Sequence, residues 1–220
     1  MEIIFLGMND IGQEVYDWLC DRESTSVKAI ITESGQLDLV KKLHPDAVVA
    51  SGFTHIVPTE ILEIPPEGCI NLHPGYLPHT RGYFPNIWSI VDNLPAGATL
   101  HYMDKNIDTG EIIARSQVEK SFEDSGKDVY QRIEEMAIEL FKKEWPNIER
   151  QKVETVPNDG KKANTYLKKD FEELREIDPD KSHQSKELIN ILRALTFPEY
   201  DNAYIDIEDS RYFIEIELYR

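Results

Sequence analysis

The chain has 220 residues and a formal charge of −17, from 24 Lys and Arg against 41 Asp and Glu. With 40% apolar and 30% charged residues it has a globular composition, which excludes disorder over its whole length. The acidity disfavours nucleic acid as a partner, because affinity for phosphate backbones draws on Lys and Arg, and here the Lys pairs stand isolated.

From the start, EIIFL (2–6) is an apolar run expected to form a buried strand, which enters Gly7. A helix follows with Ile11, Val15, Trp18 and Leu19 on one face and Asn9 or Asp10 as its cap. Val27–Ile31 predicts a second strand, 37–43 a helical stretch stopped by Pro45, and Ala47–Ala50 a third strand. Thr59–Leu62 predicts a short helix capped by Thr59, and Cys69–Leu72 a fourth strand. Short apolar strands alternating with helices argue for a parallel sheet covered on both faces. Beyond residue 84 the pattern predicts a helix (Pro85–Val91), strands at 98–103 and 112–118, and a long helix from Lys127 to Trp145 closed by Pro146. Its apolar residues Val129, Ile133, Met136, Ala137, Leu140 and Phe141 recur at spacings of three and four. Residues 150–180 are polar and read as an extended connector with a short helix near 170–176. A helix at 185–194 and strands at 203–207 and 212–218 complete the chain. The expected fold class is α/β: a Rossmann-like, mostly parallel sheet with helices on both faces, plus a small C-terminal helix and β-hairpin appendage. The expected divisions are 1–148, a connector over 149–182, and an appendage over 183–220.

No run of about 18 apolar residues is present, so no membrane association is expected. The start MEIIFLGMND lacks the basic segment and small-residue cleavage site of an export signal. Cys20 and Cys69 are too few for a disulfide framework and are expected reduced and buried, as in a cytoplasmic protein.

The chemistry is densest in CINLHPGYLPHTRGYFPNIW (69–88). Asn71 and His73 lie two apart at the end of a strand, so their side chains share a side. They stand at the carboxyl end of a parallel strand, where open α/β sheets bind ligands. A second stretch, 98–118, carries Asp108 in a turn that ends at Gly110. Asp104, Asn106 and Asp108 lack the later Glu and the flanking helices of a calcium loop, so no metal site is expected. Gly7-Met8-Asn9-Asp10 is a strand-to-helix turn whose amides can meet a phosphate or sugar, or simply a capped turn; it is not a dinucleotide fingerprint. Arg81 is expected to pair with a carboxylate or fix its loop. Tyr83, Phe84 and Trp88 are expected to pack. His101 is expected to pack on its strand face, and His79, His44, His55 and His183 to lie on the surface.

Together these stretches resemble the folate-dependent formyltransferase family. The resemblance rests on Asn71-Leu72-His73-Pro74-Gly75-Tyr76-Leu77-Pro78-His79-Thr80-Arg81-Gly82, on Gly97-Ala98-Thr99-Leu100-His101-Tyr102-Met103, and on Asp108-Thr109-Gly110-Glu111-Ile112. Ser51–Pro58 is similar to the family's folate-side loop, and the resemblance covers about residues 1–148. Pro85-Asn86-Ile87-Trp88 and Leu192–Pro198 resemble the branch that formylates amino sugars on nucleotides.

The resemblance implies transfer of a formyl group from N10-formyltetrahydrofolate to a primary amine of a nucleotide-linked amino sugar, for surface polysaccharide. It implies Asn71 as donor to the oxyanion, His73 as its stabiliser or as base, and Asp108 as the group that orients His73. Gly75, Tyr76, Leu77 and Pro78 would line the folate site, with Ile56, Pro58, Met103 and Asp104 as further walls. Met8, Asn9, Asp10, Arg81, Arg193, Phe197 and Tyr204 are the candidate contacts to the nucleotide sugar. Only one short helical stretch stands between Ile31 and Pro45, so the sheet is expected to be one strand shorter at an edge than in most of the family. A homodimer is a further expectation. The alternatives are a formyltetrahydrofolate hydrolase of the same fold, or a binding module without turnover.

Overall fold

The computed structural model describes residues 1–159, 163–200 and 202–220. Residues 160–162 of the expected connector and Asp201 of the expected appendage lie outside them. In chain order, the first half contains β1 (Glu2–Leu6), α1 (Asp10–Cys20), β2 (Ser26–Ile31), α2 (Asp38–Leu43), β3 (Ala47–Ala50), α3 (Thr59–Leu62), β4 (Cys69–His73) and β5 (Arg81–Gly82). Then come α4 (Pro85–Val91), β6 (Ala96–Tyr102), β7 (Ile112–Val118), α5 (Gly126–Glu149), β8 (Thr165–Tyr166), α6 (Lys168–Arg175), α7 (Ser185–Leu195), β9 (Ala203–Ile207) and β10 (Ser210–Ile214).

Six strands form the central sheet in the order β2-β1-β3-β4-β6-β7. The first four run parallel, and β6 and β7 are antiparallel to their neighbours. The sheet is therefore mostly parallel, as expected. On one face α1 and α5 bury Val15, Leu19, Phe141 and Trp145 against Phe5, Val49, Ile70 and Leu100. Between α2 and α3 and the other face lie Leu6, Val48, Val40 and Ile61. A third cluster joins α4, α5 and α7 to Phe171, Tyr166 and Ala203, which fastens the C-terminal elements to the body.

Several local expectations give way. Cys69 is buried but Cys20 is exposed, because it ends α1 on the side away from buried Leu19. The helix α5 does not stop at Pro146 but runs on to Glu149. Burial of Trp145 and Ile148, with Arg22 and Thr25 both donating to Glu149, holds the last turn despite the missing N–H. Thr59 does not cap α3; Pro58 occupies that position without a side-chain bond. The last strand is shorter and earlier than its alternation predicts. After Ile214 the chain leaves the hairpin, and Ile216 N–H donates to Thr196 Oγ1 at 3.1 Å.

Other signals hold. Asn9 caps α1 by accepting from Gly12 N–H at 2.8 Å. The helix α5 starts one residue before the expected Lys127, at a reciprocal capping box of Ser125 and Asp128 that was not expected from the sequence. Trp88 is core, stacked on Tyr166 with ring centroids 4.3 Å apart.

Trp145 is fully buried, stacks on Phe141 and donates its indole N–H to Thr25 Oγ1 at 3.2 Å. Trp145→Ala should therefore cost about 3–5 kcal/mol of unfolding free energy, read by urea denaturation.

Candidate active site

β4 and β6 pair antiparallel, with Asn71 opposite His101 and His73 opposite Thr99. Since side chains alternate along a strand, all four project from the same side of the sheet. Asp108 reaches this group from the β6–β7 turn, with a backbone φ of 50°. Its carboxylate is the meeting point. One oxygen lies 3.4 Å from Asn71 Nδ2 and 3.5 Å from His101 Nε2. The other lies 3.5 Å from His73 Nδ1 and accepts the Gly82 N–H at 2.8 Å.

The backbone partners decide where the imidazole protons sit. His73 Nε2 is 2.7 Å from Thr80 O, and a carbonyl only accepts. Nε2 therefore carries the proton, and the lone pair of the neutral ring is on Nδ1, facing Asp108. His101 Nδ1 is 2.7 Å from Tyr102 O, so its Nε2 carries the lone pair and accepts from Asn71 Nδ2 at 3.2 Å. Two acceptors thus turn the amide nitrogen of Asn71 towards them. The two N–H groups of the amide have two acceptors within reach, His101 Nε2 and the Asp108 carboxylate.

Burial sets the ionisation states. His73 is 4% exposed, and desolvation holds its imidazole below the usual range against the opposing pull of Asp108 and Thr80 O. Burial also opposes ionisation of Asp108, but the His73 and His101 rings and the Gly82 N–H outweigh it and hold the carboxyl below the usual carboxylate range.

The loop after β4 is tied beside this group. Thr99 Oγ1 donates to Gly75 O at 2.7 Å and accepts Leu77 N–H at 3.1 Å. Gly75 packs so closely under His73 that a Cβ would come within 2.4 Å of Nε2. Leu77 is fully buried, and Arg115 donates to its carbonyl while lying 4.8 Å over the Tyr76 ring. Pro78 is partly exposed and Pro58 exposed. Ile56 is a large apolar side chain left 77% exposed. Met103 packs partly buried against the cluster of Val57 and Ile61, and Asp104 accepts from Asn106 N–H and Thr109 Oγ1 within its own turn.

The candidate substrate contacts are not gathered in the same way. Met8 is partly exposed and Asp10 exposed, while Asn9 is spent on its cap. Arg81 is committed to Asn158, whose backbone and side-chain oxygens both accept from Nη2. Arg193 is buried and donates to Ser121 O, Asp124 O and Asn190 Oδ1. Phe197 packs between Tyr130 and Tyr200, and Tyr204 lies under Arg211 at 3.7 Å. His101 corrects the packing expectation: it is 1% exposed and touches both Asn71 and Asp108. In sequence it stood within the Gly97–Met103 motif and on one strand face with Thr99, but its partner across the sheet depends on register. His79 is partly buried, with its ring 6.4 Å from Tyr76 and stacked on it.

The formyl transferase profile matches residues 9–144, well over half of the chain. The protein belongs to the formyl transferase family. A second profile, the N-formyltransferase dimerization C-terminal domain, matches residues 170–220. A dTDP-4-amino-4,6-dideoxyglucose formyltransferase of Mycobacterium tuberculosis is 35% identical over 151 residues, 68% of this chain and 64% of that protein. This match spans somewhat less than two thirds of the relative's length. Among solved structures, a 4-N formyltransferase from Francisella tularensis superimposes with a TM-score of 0.89 at 27% identity, covering 100% of this chain and 98% of its own. The formyltransferase PseJ from Anoxybacillus kamchatkensis, solved with UDP-4,6-dideoxy-4-formamido-L-AltNAc and tetrahydrofolate, gives 0.68 at 27% identity over 79% of this chain and 89% of its own.

The depressed His73 value has a consequence for stability. The unfolded chain binds a proton at His73 in a window where the folded protein does not, so stability falls as pH drops through about 6.5. Denaturant unfolding at pH 7 and pH 5.5 should show a smaller pH-dependent loss for His73→Gln than for the wild-type protein.

Proposed function

We propose that this protein is an N-formyltransferase that moves the formyl group of N10-formyltetrahydrofolate to the primary amine of a nucleotide-linked amino sugar. The observation that carries this reading is the convergence of Asn71, His73 and His101 on the Asp108 carboxylate at the carboxyl end of β4. The Mycobacterium, Francisella and Anoxybacillus relatives support it by their stated activities and ligands.

The residues present fit the donor. A side-chain amide, a neutral imidazole and a paired carboxylate are the set that acyl transfer to an amine uses. Exposed Ile56 offers apolar surface for a flat ring system. N10-formyltetrahydrofolate supplies an activated formyl carbon. In this reading Asn71 Nδ2 turns one N–H from its internal acceptors to the formyl oxygen as that oxygen gains negative charge. His73 is neutral at working pH and has its lone pair on Nδ1. As the amine nitrogen bonds the formyl carbon, the proton it releases is held there between the ring and Asp108, and it is returned to N10 of the departing tetrahydrofolate when the bond from the formyl carbon to N10 breaks. Asp108 balances the resulting imidazolium and keeps the ring in one orientation. Gly75 to Pro78, with Met103 and Asp104, form the donor side of the site in this reading.

On the acceptor side, Met8 and Asp10 at the start of α1 remain the candidate sugar contacts, since Arg81 and Arg193 are already bound internally. The protein is read as a homodimer through its C-terminal hairpin. Ile207, Tyr212 and Phe213 stand 42%, 56% and 50% exposed there, within the segment matched by the dimerization profile.

Incubation with N10-formyltetrahydrofolate and a panel of dTDP-, UDP- and GDP-linked amino sugars should give a formamido product, and His73→Ala should slow it by about a hundredfold or more. Formate release without any acceptor would instead mark a hydrolase. The rate should rise with pH along a limb centred below about 6.5, the free imidazole value, because burial depresses His73.

A further inference from the structure

The β6–β7 turn presents a conformational problem that its own residues do not solve. Asp108 is a non-glycine residue at φ 50°, and such backbone persists where the surroundings over-determine it. Gly110 lies so close against Tyr102 that a Cβ there would meet Tyr102 O at 2.0 Å, so the turn has no room for a side chain at that position. The tie comes from outside. Asn158 Nδ2 donates to Asp108 O and to Gly110 O, each at 2.9 Å. Asn158 is 7% exposed, and its own acceptor oxygens are held by Arg81, one residue before the Gly82 N–H that holds the Asp108 carboxylate. A closed circuit results: Arg81 to Asn158, Asn158 to the backbone of Asp108, and Asp108 to Gly82.

We propose that Asn158 is a positioning residue, whose side-chain amide clamps the 108–110 turn and so sets the distance between the Asp108 carboxylate and His73. It lies between the two stretches that the family profiles match, 9–144 and 170–220. The connector therefore closes the site from behind, with β8 pairing to β5 and Val156 pairing to Ile112 to bring it there. The groups that face His73 are the Asp108 carboxylate at 3.5 Å, the Thr80 carbonyl at 2.7 Å and the His101 ring, 6.3 Å between centroids. Of these, the clamp holds Asp108. Loosening the clamp withdraws the one negative charge that favours the protonated ring.

The inference rests on the formyl-transfer reading only for its kinetic arm. The test is NMR titration of His73 in 13Cε1-histidine-labelled protein, wild type against Asn158→Ala, with unfolding midpoints measured alongside. The expected result is a His73 midpoint lowered by about half a unit or more, as a facing carboxylate retreats. In formyl transfer, kcat falls by about tenfold or more while KM for the folate donor stays within about twofold. A folded Asn158→Ala whose His73 titration matches wild type overturns the proposal, even where kcat has dropped. Should Asn158→Ala not fold, Arg81→Lys decides: it breaks the paired donation to Asn158 while keeping the charge, and it must lower the His73 midpoint in the same direction or the proposal fails. A wild-type protein without formyl transfer would remove the functional reading and leave the titration to decide the positioning role.

Discussion

One carboxylate, that of Asp108, all but withdrawn from water at 14% exposure, organises this molecule. An ionised group taken out of water costs several kcal/mol unless paired and hydrogen-bonded, so the protein must surround Asp108 with partners or leave it neutral. It does the former with groups from three separate stretches, Asn71 and His73 on β4, His101 on β6 and the Gly82 N–H of β5, while Asn158 of the connector holds the backbone carbonyl of Asp108. Two of these partners, Asn71 and His73, are the groups to which the proposed function assigns the chemistry. Satisfying the charge and assembling the site are one structural act.

The sheet makes this assembly possible. Parallel strands β1, β3 and β4 end at one edge, and the antiparallel turn to β6 brings a second strand alongside β4 in a register that sets Asn71 against His101. The fixed proton on His101 Nδ1 then leaves Nε2 as an acceptor, which orients an amide that has no preference of its own. Backbone carbonyls at Thr80 and Tyr102 thus set the chemistry of side chains that they do not share a strand face with. In a low-dielectric site such fixed dipoles act without reorganising during the reaction.

How much of this was readable from residues depends on the range of the interaction. Asn71 and His73 were legible because a two-residue spacing on a strand is local, and the cap at Asn9 was legible for the same reason. His101 was not, since its role depends on an antiparallel register between strands thirty residues apart. Asn158 carried no signal at all: it stands in a polar stretch without periodicity, and its partners are backbone carbonyls. Pro146 misled because a local breaker was outweighed by tertiary burial of Trp145 and Ile148 on either side. Arg81 and Arg193 were open to a ligand role in sequence, but the fold spends both on internal acceptors.

The most direct test of the organising role of Asp108 is Asp108→Asn, which keeps shape and removes charge. The account predicts that the folded variant loses formyl transfer by about a hundredfold or more, with the imidazole of His73 titrating at still lower pH. A folded variant that transfers formyl groups at the wild-type rate, with His73 unmoved, would contradict it.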